Sequence, residues 1–109
     1  MTQVVFYKRG EHFVRIESKG HTGYAESGAD IVCAGLSALI QGALLGILKV
    51  VGVKADHRMN EDKGTLSIIL PDGLSDAERH DCSVILNTLY ASVTDLAEGY
   101  SEYIKVEVK

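Results

Sequence analysis

The sequence has no run of Lys or Arg longer than two, and its formal net charge is −4. Affinity for a phosphate backbone rests mainly on clustered cations, so no direct nucleic-acid binding is expected. An acidic chain meets a basic partner more readily. There are only two cysteines, Cys33 and Cys82, too few for a disulfide framework. The opening stretch MTQVVFYKRGEHF lacks the apolar core and cleavage site of a signal peptide, which makes a cytoplasmic, reducing setting the expectation. No CxxC, HExxH or Gly-rich phosphate loop occurs, so zinc and nucleotide are disfavoured and no cofactor or metal is expected. Repeats, low-complexity segments and linkers are also missing, which leaves residues 1–109 as one domain.

What the chain does have is a composition suited to a folded core, 46% hydrophobic against 24% charged. Its longest apolar stretch, IVCAGLSALIQGALLGIL from Ile31 to Leu48, holds only Ser37 and Gln41 as polar residues among eighteen. That length reaches the lower limit for a membrane span. The small residues Ala34, Gly35, Ala38, Gly42 and Gly46, the central Gln41 and the lack of aromatic or basic flanks favour a buried helix instead, with no membrane contact.

Periodicity supplies the element order. QVVFYKR and HFVRIES alternate around Gly10-Glu11, which predicts a β-hairpin. Gly20 to Gly28 is glycine-rich and poor in apolar residues, hence a loop. Leu36, Leu39, Ile40, Ala43, Leu44, Ile47, Leu48 and Val51 recur at helical steps, predicting a helix over about 31–51. Ala38, Gly42 and Gly46 form a second stripe on it, suited to tight packing within the fold or to a dimer contact. VKADHRMN and TLSIIL form a second hairpin that Gly64 closes, followed by a turn at Pro71-Asp72-Gly73. Ser75 and Glu78 have capping-box spacing ahead of a helix whose apolar positions run Cys82, Leu86, Leu89, Val93, Leu96 and Tyr100, with Gly99 as its stop. A last strand puts Ile104, Val106 and Val108 on one face. The order ββαββαβ predicts an α+β two-layer sandwich, two helices on one face of a five-stranded mixed sheet. The strand order is not legible.

The candidate chemistry lies in GHTGYAESGADIVCAGLSAL, Gly20 to Leu39. With Asp30 as N-cap, Cys33 falls in the first helical turn, where the dipole favours thiolate. His21, twelve residues upstream across the glycine loop, is the candidate base, and free helix-start amides could hold an oxyanion. Asp30 could orient the His21 ring or serve only as a cap. Ser37 shares the helix face of Cys33 and could bond toward the site, although a helical Ser more often bonds back to a carbonyl. Taken alone, one cysteine in an apolar helix is more often inert core, and one loop histidine more often solvated. The rival groups are weaker. In His80-Asp81-Cys82 the residues two apart do not share a helix face, His12 lies at a hairpin turn, and His57-Arg58 reads as a surface pair on a strand.

The same stretch resembles the signature of the ribosomal-processing cysteine protease (Prp) family, approximately G-H-x-G-Y-A, G-x-D-I-V-C-A and S-A-L. Gly20, His21, Gly23, Tyr24, Ala25, Gly28, Asp30, Ile31, Val32, Cys33, Ala34, Ser37, Ala38 and Leu39 all fall in place, with Gly35 a mild departure. The resemblance implies a small bacterial cysteine endopeptidase that removes a short N-terminal extension from a large-subunit ribosomal protein after an aromatic residue. Cys33 then matches the nucleophile and His21 the general base and acid, with Asp30 and Ser37 as orienting or supporting residues. It also implies a homodimer and a mobile loop over the site containing Gly20, Gly23 and Gly28. The reading from another class is a non-catalytic ribosome-associated assembly factor that binds a basic ribosomal protein.

Overall fold

A computed structural model describes residues 1–20, 27–60 and 62–109. The first hairpin is β1 (Thr2–Arg9) and β2 (His12–Lys19), antiparallel with a register shift between Tyr7 and Lys8. Helix α1 (Ser27–Leu45) runs on into a π-helical turn, Gly46–Val51. The second hairpin is β3 (Asp56–Asn60) and β4 (Thr65–Ile69), and α2 (Asp76–Gly99) and β5 (Ile104–Val108) complete the chain. The sheet order is β3-β4-β2-β1-β5, with β5 parallel to β1 and every other pair antiparallel. The predicted element order and the mixed five-stranded sheet are both present.

Alternation decides which sheet face is buried. Val4 and Phe6 of β1, Ile16 of β2, Leu66 and Ile68 of β4 and Ile104 of β5 all face the core. Against them α1 presents Val32, Leu36 and Ile40, the π turn presents Ile47, and α2 presents Cys82, Leu86, Leu89 and Val93. The rings of Phe6, Phe13 and Tyr90 close this layer with centroids 5.1 to 5.4 Å apart, favourable for tilted and edge-on aromatic contacts. At β5 the expected face fades outward: Ile104 is buried, Val106 half-buried and Val108 exposed.

The start of α2 is built as its sequence dictates. Glu78 N–H donates to Ser75 Oγ at 3.1 Å, and Ser75 N–H donates to Glu78 Oε1 at 2.9 Å, a reciprocal capping box. The helix then ends at Gly99.

Helix α1 departs from expectation at its start. It begins at Ser27, so Gly28 and Asp30 belong to its first turn. Gly28 is therefore not a loop residue, Asp30 is not the N-cap, and Cys33 lies in the second turn. Ser and Gly are tolerated at this end because the first-turn amides have no intrahelical partner to lose. Ile31–Val51 is long and apolar enough to cross a membrane by length and composition, with hydropathy 2.2. Its inner row nevertheless belongs to the core, with Val32, Leu36, Ile40 and Ile47 at 0–2% exposure. The small-residue stripe divides between two environments. A Cβ at Gly46 would lie 3.2 Å from Ile85 Cδ1 of α2, whereas Ala38 and Gly42 are exposed. Ile31, Leu45 and Val50 share that outward exposure at 69%, 50% and 83%.

The helical layer stops short of the β3 edge. His57 pairs with Ile68 and Met59 with Leu66, which places both on the helix side of the sheet, yet every β3 residue is exposed. A shelf is left between α1 and β3.

Candidate active site

That shelf opens into a cavity of about 400 Å³ at the end of the sheet where β1 begins and β2 ends. Its roof is one face of α1: Cys33, Leu36, Ser37, Ile40 and Gln41. Thr2, Ser18 and Leu66 form the floor, and Met59 and Asn60 of β3 form the outer wall. Leu36 and Ile40 from the roof and Leu66 from the floor give it an apolar interior, while the rim carries hydroxyls and amides. Among the described residues, none of the thirteen lining the cavity is Asp, Glu, Lys, Arg or His. The cavity suits a length of extended peptide, whose N–H and C=O groups match the hydroxyls and amides of the rim.

The two cysteines are distinguished by their surroundings. Cys33 is half-buried and opens into the cavity. Cys82 is 0% exposed in the core. Burial pushes the Cys82 thiol up, and the carboxylates of Asp81 and Glu78 push it further the same way. Only the thiolate is a nucleophile, so Cys82 is the inert one.

The approach to His21 is pinned at its near end. Gly20 has φ +105°, and a Cβ there would lie 2.6 Å from the Met1 carbonyl oxygen. Its N–H donates to Gly64 O at 3.1 Å, and Thr2 Oγ1 donates to its carbonyl at 3.4 Å. The β1 start, the β2 end and the β3–β4 turn therefore converge on the residue before the histidine. His21 itself, Gly23, Tyr24 and Ala25 lie outside the described residues. The His21–Cys33 approach and the loop expected at Gly23 lie there too.

The rival groups do not assemble a site. His80 Nδ1 is 3.2 Å from Asp81 Oδ1 on the exposed side of α2. His12 Nδ1 meets Ser83 Oγ at 3.4 Å, tying the first hairpin to α2. His57 Nδ1 contacts Ala55 O at 3.3 Å, and Arg58 pairs with Asp56 rather than acting with His57. The cavity walls Thr2, Ser18, Met59, Asn60 and Thr65 were not singled out from sequence, because strand ends remote in the chain bring them together. Gln41 was within reach, one four-residue step beyond Ser37.

A half-buried cysteine opening from a helix into a peptide-sized cavity suits acyl transfer. The family model of the cysteine protease Prp matches residues 1–105. The chain belongs to the Prp family. The ribosomal processing cysteine protease Prp of Bacillus subtilis is 27% identical over 90 residues, covering 83% of this chain and 80% of that protein. The essential ribosomal processing protease Prp of S. aureus in complex with a substrate peptide has a TM-score of 0.86 at 26% identity, with 100% of both chains covered. Its complex with a covalently linked product peptide gives 0.85 at 28%, again over 100% of both. Like other Prp members, this chain is a cysteine peptidase.

Proposed function

We propose that this chain removes a short N-terminal extension from a large-subunit ribosomal protein, with Cys33 as nucleophile and His21 as general base and acid. The observation that carries this reading is the position of Cys33: in a chain of the Prp family, this half-buried cysteine faces a peptide-sized cavity. His21 takes the thiol proton, and the Cys33 sulfur attacks the scissile carbonyl. The tetrahedral oxyanion is held by backbone N–H groups at the start of α1, which lack intrahelical acceptors. The intermediate collapses, the amine leaves with the proton from His21, and water drawn by the same imidazole releases the acyl group. The extended tail lies along the shelf above Met59, its apolar side chains directed to Leu36, Ile40 and Leu66. Asp30, one turn before Cys33, orients or supports the pair. Relatives described as ribosomal processing proteases, and the S. aureus complexes with substrate and covalently linked product peptides, support this assignment.

The enzyme is cytoplasmic and homodimeric in this reading. The exposed row Ile31, Ala38, Gly42 and Leu45 on α1, with Val50 of the π turn, is the face offered to a second copy. The decisive experiment incubates the protein with a peptide copying the extended N-terminus of the ribosomal protein and reads the products by mass spectrometry. One cut next to an aromatic residue is expected, lost in both Cys33→Ala and Cys33→Ser. Retained turnover in either variant removes the catalytic role and leaves a docking module for a basic ribosomal protein.

A further inference from the structure

The strand registers set four core-facing side chains in one row across the sheet: Val4 beside Ser18, Ser18 beside Leu66, and Leu66 beside Met59. Their exposure rises toward the open edge, from 0% through 7% and 9% to 57%. Three of the four are apolar, and Ser18 is the one hydroxyl among them. A buried polar side chain calls for a hydrogen-bond partner. Thr2, 3% exposed in the same floor, has one: its Oγ1 donates to Gly20 O at 3.4 Å. Among the described residues the Ser18 hydroxyl has none, and Ser18 lines the cavity. The bond is therefore left to whatever fills that space. Water supplies it while the cavity is open. A peptide that displaces the water must replace the bond or leave the hydroxyl unpaired under Leu36 and Ile40, a cost larger than a typical hydrogen bond contributes.

We infer that Ser18 is a binding residue for the tail, its hydroxyl hydrogen-bonding one polar group of the bound peptide. This rests on the reading of the cavity as the peptide site and goes beyond it by naming a polar anchor there. The anchor lies two strand spacings, about 10 Å, inward from Met59. A hydroxyl both donates and accepts, so its partner is a backbone amide or a polar side chain, not an apolar tip. The bond gives the groove a register. A wholly apolar row would hold the tail equally well after a shift along its length. A tail held at Ser18 presents one fixed segment to Cys33, which opens from the roof of the same cavity. A shifted tail leaves the hydroxyl unpaired, which is how a polar group in a pocket rejects a ligand that lacks its partner.

The test measures peptide binding by calorimetric titration in the full chain carrying Cys33→Ala, with Ser18 present and with Ser18→Ala. The probes are the extended-tail peptide and a set in which each amide in turn becomes an ester and each side chain in turn becomes Ala. Urea unfolding of the two chains without peptide reports any structural role. Ser18→Ala is expected to weaken binding of the parent peptide about three- to tenfold. The unfolding midpoint should stay or rise, because the variant loses a hydroxyl that no protein group holds. One peptide substitution should cost a similar factor against Ser18 and change binding less than about twofold against Ser18→Ala, the mark of a direct pair. Unchanged or tighter binding by Ser18→Ala overturns the inference. A lowered unfolding midpoint with the affinity loss spread evenly over all peptides also overturns it, since the hydroxyl would then be structural. No binding of the parent peptide overturns it together with the peptide site. Binding that shows the Ser18 pair, with no cleavage by the chain that retains Cys33, defeats the peptidase reading alone, because the titration uses no chemistry at the sulfur.

Discussion

Gly20→Ala is expected to damage both stability and cleavage, and the size of the effect follows from the backbone. Gly20 holds φ +105°, a region that costs a residue with a Cβ about 1–3 kcal/mol. The added Cβ would sit 2.6 Å from the Met1 carbonyl oxygen, and since that contact is backbone to backbone, no flexible side chain can yield. The surrounding bonds resist movement as well, because Gly20 N–H is held by Gly64 O and Thr2 Oγ1 donates to the Gly20 carbonyl. Together these effects predict a loss of about 2–4 kcal/mol in unfolding free energy. Relaxation would drag the residue before His21, so kcat/KM on the extended-tail peptide should drop more than tenfold. Urea unfolding and peptide cleavage are the assays. Gly35→Ala serves as the matched control: it is helical, has no neighbour within 4 Å of its ideal Cβ, and should raise stability by about 0.5–1 kcal/mol. A Gly20→Ala protein within about 0.5 kcal/mol of the parent would refute the close-approach reasoning.

Three further outcomes are expected. Burial raises the Glu17 carboxyl, but hydrogen bonds from Arg15 and Tyr7 and the charges of Arg15 and Lys19 outweigh it and hold the group below its ordinary 4.5. A depressed folded value means stability that is present above about pH 4.5 and lost as the pH falls through that lower value. Glu17→Gln should therefore cost about 1 kcal/mol at pH 7 and progressively less toward pH 3 in urea titrations, and a constant difference would contradict the sign. Iodoacetamide at neutral pH should label Cys33 in the folded chain and both cysteines only in denaturant, as read by mass spectrometry of peptides; labelling of folded Cys82 would contradict its 0% exposure. Ser75→Ala should remove the α2 capping box for about 1 kcal/mol, lowering Tm by roughly 4–8 °C in a calorimetric scan.

Local rules made the elements legible and long-range pairing hid the rest. The alternation of QVVFYKR, the Ser75–Glu78 cap and the helical steps from Leu36 to Val51 depend only on neighbours along the chain, and all reappear in the fold. The insertion of β1 between β2 and β5 depends on contacts about a hundred residues apart, for which the strands carry no local mark. Helix α1 starts four residues before the expected Ile31, because Gly28 and Asp30, which read as loop and cap, are types that first-turn positions also accept. For the site, Cys33 and Ser37 were visible as a helix-face pair. Its opposite walls, Thr2, Ser18, Asn60 and Thr65, became neighbours only when four strand ends met beneath α1.

The fully exposed β3 has an evolutionary consequence. None of its five side chains is buried, so substitutions at Met59 leave the hydrophobic interior intact and should cost little folding energy. In the proposed reading the outer bank of the groove can therefore be rewritten to admit a different tail, while the helix that carries Cys33 stays anchored through Val32, Leu36 and Ile40. On that reading selectivity and foldability fall to separate sets of residues, which would let a chain of this size drift toward its host's own cleavage sequence without losing its shape.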